Sequence, residues 1–336
     1  MLGSVPADNG ATSFRPPYAG TVKPLFSTGQ LRTDLLPSLS SVSGAPSLTG
    51  AARRYQRVQL EFSNSWYGRY MHASENYAFV DNPSNSQVSE YGAEVGRDSA
   101  DVALRLMLND SISAKMPALI NYVQAGIDIY GVHNAGTRWS ADGGHFFGRK
   151  LPVVFAATLL NDATMKSEIA NADPATYGED GHFYYSTNQS TIAAMQAAGY
   201  APALFGKSCD TGAYEQNQSN NGNLNSDDCR DPIGMIDGGY IQDGYQICCT
   251  SAPMKGISLA ARLLPGGKTT WDYNPFHDYI DRWVGFGVWG QPDNWNSLGR
   301  TPARNYATWH GREKDGGDYG SSFIDNMWTA HRNKAQ

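Results

Sequence analysis

The sequence predicts a mainly α-helical protein: an α/α toroid or incomplete α/α barrel with long loops and an extended N-terminal arm. Three observations predict it. Beyond Val58 the apolar residues fall mostly in blocks of helical spacing. Strand signals are sparse, and the helical blocks are joined by long, glycine-rich, polar connections. Toroids carry their sites on such loops, whereas an ordinary helical bundle uses shorter ones.

Taken in order, residues 1–55 are rich in Pro, Gly, Ser and Thr and have no sustained period, so they read as an arm lying over the main body. Residues 56–336 read as one helical domain with a Cys-containing loop insertion at about 205–250. Arg57–Phe62 is a candidate strand. Gln87–Leu108 is expected to be helical, with Val95, Val102 and Leu106 on one face. Pro117–Val132 follows, with Pro117 in its first turn. Ala118, Leu119, Ile120, Val123, Ile127 and Ile129 make it apolar over most of its circumference, the pattern of an interior helix. In Leu151–Leu160, Pro152 again sits where a first turn tolerates it. Ala163–Ala170, Gln189–Ala198, Ala252–Leu264, Pro275–Val284 and Ser322–Arg332 are shorter helical blocks, and Gly239–Ile247 is a second candidate strand.

Composition narrows the function. With 40% hydrophobic and 17% charged residues the chain folds rather than staying disordered. Its 19 Tyr and 8 Trp, together with Gly, Asn and Ser, suit sugar rings, which offer apolar faces and hydroxyl edges. A net charge of −6 argues against a nucleic-acid partner, yet leaves room for an acidic sugar in a locally basic pocket. No run approaches the roughly 18 apolar residues of a membrane span. Met1–Pro6 lacks the charged and apolar regions of a secretory leader, so the start reads as a processed or truncated boundary, or as that of a cytosolic chain. The cysteines favour a secreted or periplasmic protein. All four lie between Cys209 and Cys249, where Cys209 and Cys229 are well placed to pair with Cys248 and Cys249. A vicinal Cys248–Cys249 bridge is the alternative. There is no Cys-X-X-Cys pattern, and no metal or cofactor is expected.

The densest set of reactive groups is His133, Asn134, Arg138, Trp139, Asp142, His145, Arg149 and Lys150, between two apolar helices. Arg149 and Lys150 directly precede a helix N-terminus, a favourable place for a carboxylate or sulfate. The competing reading is a solvated loop whose charges cap the helix. A second constellation, Glu179-Asp180-Gly181-His182-Phe183-Tyr184-Tyr185, could supply an acid, a base or substrate hydrogen bonds, or equally a helix cap with aromatic packing. Trp66 and Tyr67 could form a sugar-stacking rim. His277 and Asp281, four apart, read as a structural pair rather than as metal ligands. No Gly-X-Ser-X-Gly elbow, zinc helix or Walker loop occurs.

The buried helix, then His133-Asn134, then Asp142-Gly143-Gly144-His145 leading into Gly148-Arg149-Lys150-Leu151-Pro152, resembles α/α-toroid polysaccharide lyases and their bacterial relatives. The resemblance spans about residue 58 to the end and implies β-elimination on a uronic-acid polysaccharide. It implies Arg149, Arg138 and Asn134 as neutralisers of the sugar carboxylate, His145 or His133 as the base, and Tyr184 or Tyr185 as the acid. Trp139, Lys150, His182, Trp66 and Tyr67 would bind the chain. Two other functions compete. A glycoside hydrolase would set Asp142 across a sugar from Glu179 or Asp180, about 5 to 9.5 Å apart. A non-catalytic carbohydrate-binding protein would keep the aromatic platforms without a His/Arg/Tyr cluster in one cleft.

Overall fold

A computed structural model describes residues 12–56, 92–187, 189–205, 246–286 and 320–336, and these are mainly helical. The described residues fall into two compact units: those within 12–178, 253–272 and 321–336, and those within 179–252 and 273–320.

The first unit is built on α1 (Leu48–Arg54), α2 (Gly92–Leu106), α3 (Ile112–Asn134), α4 (Lys150–Leu159) and α5 (Ala163–Ala170). Most of α7 (Ser251–Leu263) and all of α9 (Ser322–His331) complete it. The helix expected from Pro117 starts five residues earlier, because Ser111 caps it by accepting the Ala114 N–H at 3.3 Å. Pro117 therefore lies inside the helix, where it removes one ladder bond. In α4 every residue is buried, and Pro152 does occupy the first turn, where its missing N–H is no loss. α3 and α4 approach closely at Gly126, where a Cβ would collide with the Pro152 carbonyl and come within 2.7 Å of the Ala156 Cβ. Asp162 and Ser321 cap α5 and α9.

The segment before α1 is laid along these helices. The Arg15 guanidinium forms a two-pronged pair with Asp128 of α3, at 2.8 and 2.6 Å. Its backbone N–H and C=O both bond to the Gln124 side chain at 2.9 Å. Lys23 ties the Pro17, Tyr18 and Ala19 carbonyls together. Further on, the Arg32 N–H meets the Leu159 carbonyl at 2.8 Å, and His331 Nε2 lies 3.0 Å from the Ser40 carbonyl. The stretch read as wholly extended ends in α1, a seven-residue helix too short to show a period.

The second unit contains a two-stranded antiparallel hairpin, β1 (Phe183–Tyr185) with β2 (Ala203–Phe205), joined through α6 (Gln189–Ala197), and the helix α8 (Asn274–Phe286). Three-residue strands leave almost no alternation to read, which is why the hairpin is not visible in the sequence. Of the two expected strands, Arg57–Phe62 lies outside the described residues. At the end of Gly239–Ile247 the chain enters a π-helical turn, Gln246–Thr250, instead of a strand. Cys209 and Cys229 also lie outside the described residues; Cys248 and Cys249 sit in that turn with their sulfurs side by side.

Candidate functional site

The loop between α3 and α4 is held rigidly within the first unit. A Cβ on Gly92 of α2 would strike the backbone of residues 144–146, and one on Gly96 would come within 3.0 Å of the Phe147 Cβ. From the other side, Gly148 (φ 81°) lies against the Val95 carbonyl. Glycine is required here because any side chain would fill the gap through which loop and helix touch. Phe146 holds φ at 66°, a left-handed conformation costing a bulky residue roughly 1 to 2 kcal/mol, and such strain clusters at functional sites. The Trp139 backbone N–H bonds to the Thr176 carbonyl at 2.8 Å, and its ring stacks on Tyr177 with centroids 5.6 Å apart.

On this frame His145 Nδ1 lies 3.0 Å from Asp142 Oδ2. The His145 N–H also bonds to the Asp142 carbonyl at 3.0 Å, so the two residues close a small turn. A carboxylate only accepts hydrogen bonds, so Nδ1 carries the proton of the neutral imidazole and the lone pair falls on Nε2. Asp142 is 57% exposed and His145 13% exposed, an oriented imidazole near the surface.

Arg149 and Lys150 lie elsewhere than the sequence suggests. Both are buried. Arg149 donates to the Phe147 carbonyl at 2.5 Å. Lys150 Nζ donates to the Trp271 carbonyl at 2.8 Å and lies 4.8 Å from the Trp271 ring and 5.7 Å from that of Tyr177. Carbonyl and π-face contacts offset the cost of burying this charge. Their geometry anchors the loop and α4; it does not present two cations to solvent.

A second group forms at the end of α3. Arg138 Nη1 donates to the Thr137 carbonyl at 2.9 Å and the His133 carbonyl at 3.3 Å, and lies 3.4 Å from His133 Nδ1. A guanidinium can only donate, so His133 Nδ1 accepts and Nε2 carries the proton. Burial, reinforced by Arg138, lowers the His133 pKa from 6.5 to about 4. At neutral pH His133 is thus an uncharged donor through Nε2. Its ring lies 5.8 Å from Tyr177. Two residues join this group that sequence reasoning missed. The Tyr130 hydroxyl donates to Glu168 Oε2 at 2.6 Å, and Asn134 also bonds to Tyr130. Burial, then Glu168, pushes Tyr130 up to about 12. Tyr130 and Asn134, four apart on one helix, were legible as neighbours; Glu168 arrives from α5 and was not.

The remaining expected residues belong to the second unit or to undescribed chain. His182 is buried, its ring stacked on Phe205 at 5.1 Å and 3°. Strand alternation separates the two tyrosines: Tyr184 packs on Met195 and Leu204, while Tyr185 is exposed and its hydroxyl donates to the Asp278 carboxylate. Glu179 and Asp180 are buried, as is His277. Trp66 and Tyr67 lie outside the described residues. Among the described residues, no three His, Cys, Asp or Glu side chains group as metal ligands would, and no helix is long and apolar enough to cross a membrane.

Comparison with protein families, with curated proteins and with solved structures found no match for this chain.

Proposed function

We propose that the protein is a carbon–oxygen lyase of the polysaccharide-lyase kind, cleaving a uronic-acid-containing polysaccharide by β-elimination, with His145 as the base. The observation that carries this reading is the Asp142–His145 pair on a loop clamped to α2. An imidazole oriented by a carboxylate, with its lone pair on Nε2, is suited to remove a proton. In the reaction Nε2 takes the C5 proton of the uronate, the C5–H electron pair forms the C4–C5 double bond, and the C4–O bond to the leaving sugar breaks. The imidazolium then returns a proton to the departing oxygen. Charge gathers on the sugar carboxylate as an enolate-like species, and preorganised donors stabilise it. His133 Nε2–H, Asn134 and exposed Arg138 are the donors suited to it, and the buried Arg149 and Lys150 keep their loop in place. The resemblance to α/α-toroid lyases supports the same reading, as does a mainly helical architecture, read as a toroid or incomplete barrel. The cysteine-bearing segment fits an exported, disulfide-stapled enzyme.

The test is incubation with alginate, glucuronan and polygalacturonate while following ultraviolet absorbance and reducing ends. The expected result is an absorbing unsaturated product from at least one polymer, with its rate reduced about 10²- to 10⁴-fold in His145→Ala while circular dichroism is unchanged. Reducing ends without absorbance would establish hydrolysis instead, and an undiminished rate in folded His145→Ala would remove His145 from the mechanism.

A further inference from the structure

Among its described residues the second unit presents one exposed aromatic ring, Tyr185, that the elimination chemistry does not use. Tyr185 is 41% exposed, although the residues on either side of it in space are tightly built. Its strand neighbour two residues back, Phe183, points to the same side of the hairpin. Phe183 is locked among Phe205, Phe276 and Tyr279, with centroids 5.2, 5.3 and 4.7 Å away. The Tyr273 hydroxyl closes the cluster by donating to the Phe183 carbonyl at 2.6 Å. The Tyr185 ring is then fixed at its far end by the hydrogen bond from its hydroxyl to Asp278 of α8. A ring pinned at both ends has lost its rotamer freedom before any ligand arrives, so stacking on it carries little ordering cost.

From this geometry we infer that Tyr185 and Asp278 form a binding platform for a neutral pyranose. The ring offers an apolar face for the axial C–H groups of a sugar, and Asp278, only partly buried, accepts hydrogen bonds from its hydroxyls at the edge of that face. The same carboxylate disfavours a uronate, because two like charges would meet at one edge. Burial, with the Asp278 hydrogen bond next, raises the Tyr185 phenol well above its ordinary value, so it stays a protonated donor across the working pH range. The site therefore takes neutral rings, a different class of sugar from the acidic one proposed for the His145 loop, and its existence does not depend on elimination occurring there.

The experiment uses the full chain carrying His145→Ala, so that no substrate is turned over. Cellohexaose, mannohexaose, laminarihexaose and hexagalacturonate are titrated by calorimetry and by saturation-transfer NMR. At least one neutral hexasaccharide should bind with millimolar affinity. Tyr185→Ala should weaken it about tenfold, the worth of one aromatic stacking contact. Tyr185→Phe should keep most of the affinity, since the ring remains, and Asp278→Asn should weaken it severalfold. Hexagalacturonate binding should be indifferent to Tyr185→Ala. If no neutral hexasaccharide binds, if Tyr185→Ala leaves its binding unchanged, or if hexagalacturonate loses affinity in parallel, the platform is not a neutral-sugar site. None of these outcomes bears on whether the protein with His145 intact produces an unsaturated product.

Discussion

Asp101 and His133 titrate in overlapping windows with opposite consequences for stability. Asp101 of α2 lies in a buried network in which Arg54 pairs with Asp98, Arg97 reaches Asp98 at 3.2 Å, and Ser321 donates to Asp101 at 2.9 Å. Burial raises its pKa from 3.8 to about 6, against the opposing pull of Arg54 and Arg97. Its folded value exceeds its unfolded one, so the native state holds the proton more tightly between those values, and stability falls as pH rises through that window. His133 is lowered from 6.5 to about 4. There the unfolded state binds the proton first, so stability falls as pH drops through the window. The two contributions partly cancel in the wild type. Asp101→Asn should expose the His133 trend: urea unfolding from pH 4 to 6 should show stability rising with pH more steeply than in the wild type, by about 3 kcal/mol at most over the window. Identical slopes would mean that the Asp101 carboxyl is not raised. Legibility at this scale was uneven. Asp142 and His145 were readable as members of one reactive loop, but that Asp142 orients His145 and that Arg149 and Lys150 turn inward could not be read, the latter because the groups that receive them include Trp271, far along the chain.

The α3–α4 pairing is where sequence and packing meet most directly. The apolar circumference of α3 marks it as interior in the sequence, and every residue of α4 proves buried beside it. What that pattern leaves open is how closely they pack, which Gly126 decides by letting the Pro152 carbonyl approach. Gly126→Ala should therefore cost about 1 to 3 kcal/mol, the usual penalty of overpacking, despite the better helix propensity of alanine. Denaturant midpoints at constant m-value measure it, and an unchanged or raised midpoint would show that the helices can part without penalty. Helix boundaries were legible where a cap or a proline marks them, as at Pro152, and displaced where a capping serine lies upstream of the apolar run, as at Ser111.

Across the first unit, the N-terminal segment acts as a strap whose strongest fastening is Arg15 on Asp128. The carboxylate is wholly buried and the guanidinium 28% exposed. Removing the arginine leaves a buried charge without its main partner, so Arg15→Ala should destabilise by about 2 to 4 kcal/mol, below the full cost of breaking a buried pair because the arginine is partly hydrated. Urea unfolding and limited proteolysis should report it together, with cleavage appearing before α1. A stable variant with no new cleavage would show that Gln124 and the Arg32–Leu159 backbone bond suffice to hold the segment.

By itself the sequence determined that the protein is mainly helical, that α3 is interior, and that reactive groups crowd the loop between α3 and α4. Each of these follows from periodicity, composition and local spacing, which are properties of contiguous residues. Only the tertiary structure decided which of those groups face outward. It turned Arg149 and Lys150 inward, oriented His145 on Asp142, gave His133 the opposite tautomer, and chose Tyr185 over Tyr184 for the surface. The reason is physical: burial, tautomer and pKa depend on partners such as Trp271, Glu168 and Asp278, which reach these groups through the fold and not along the chain.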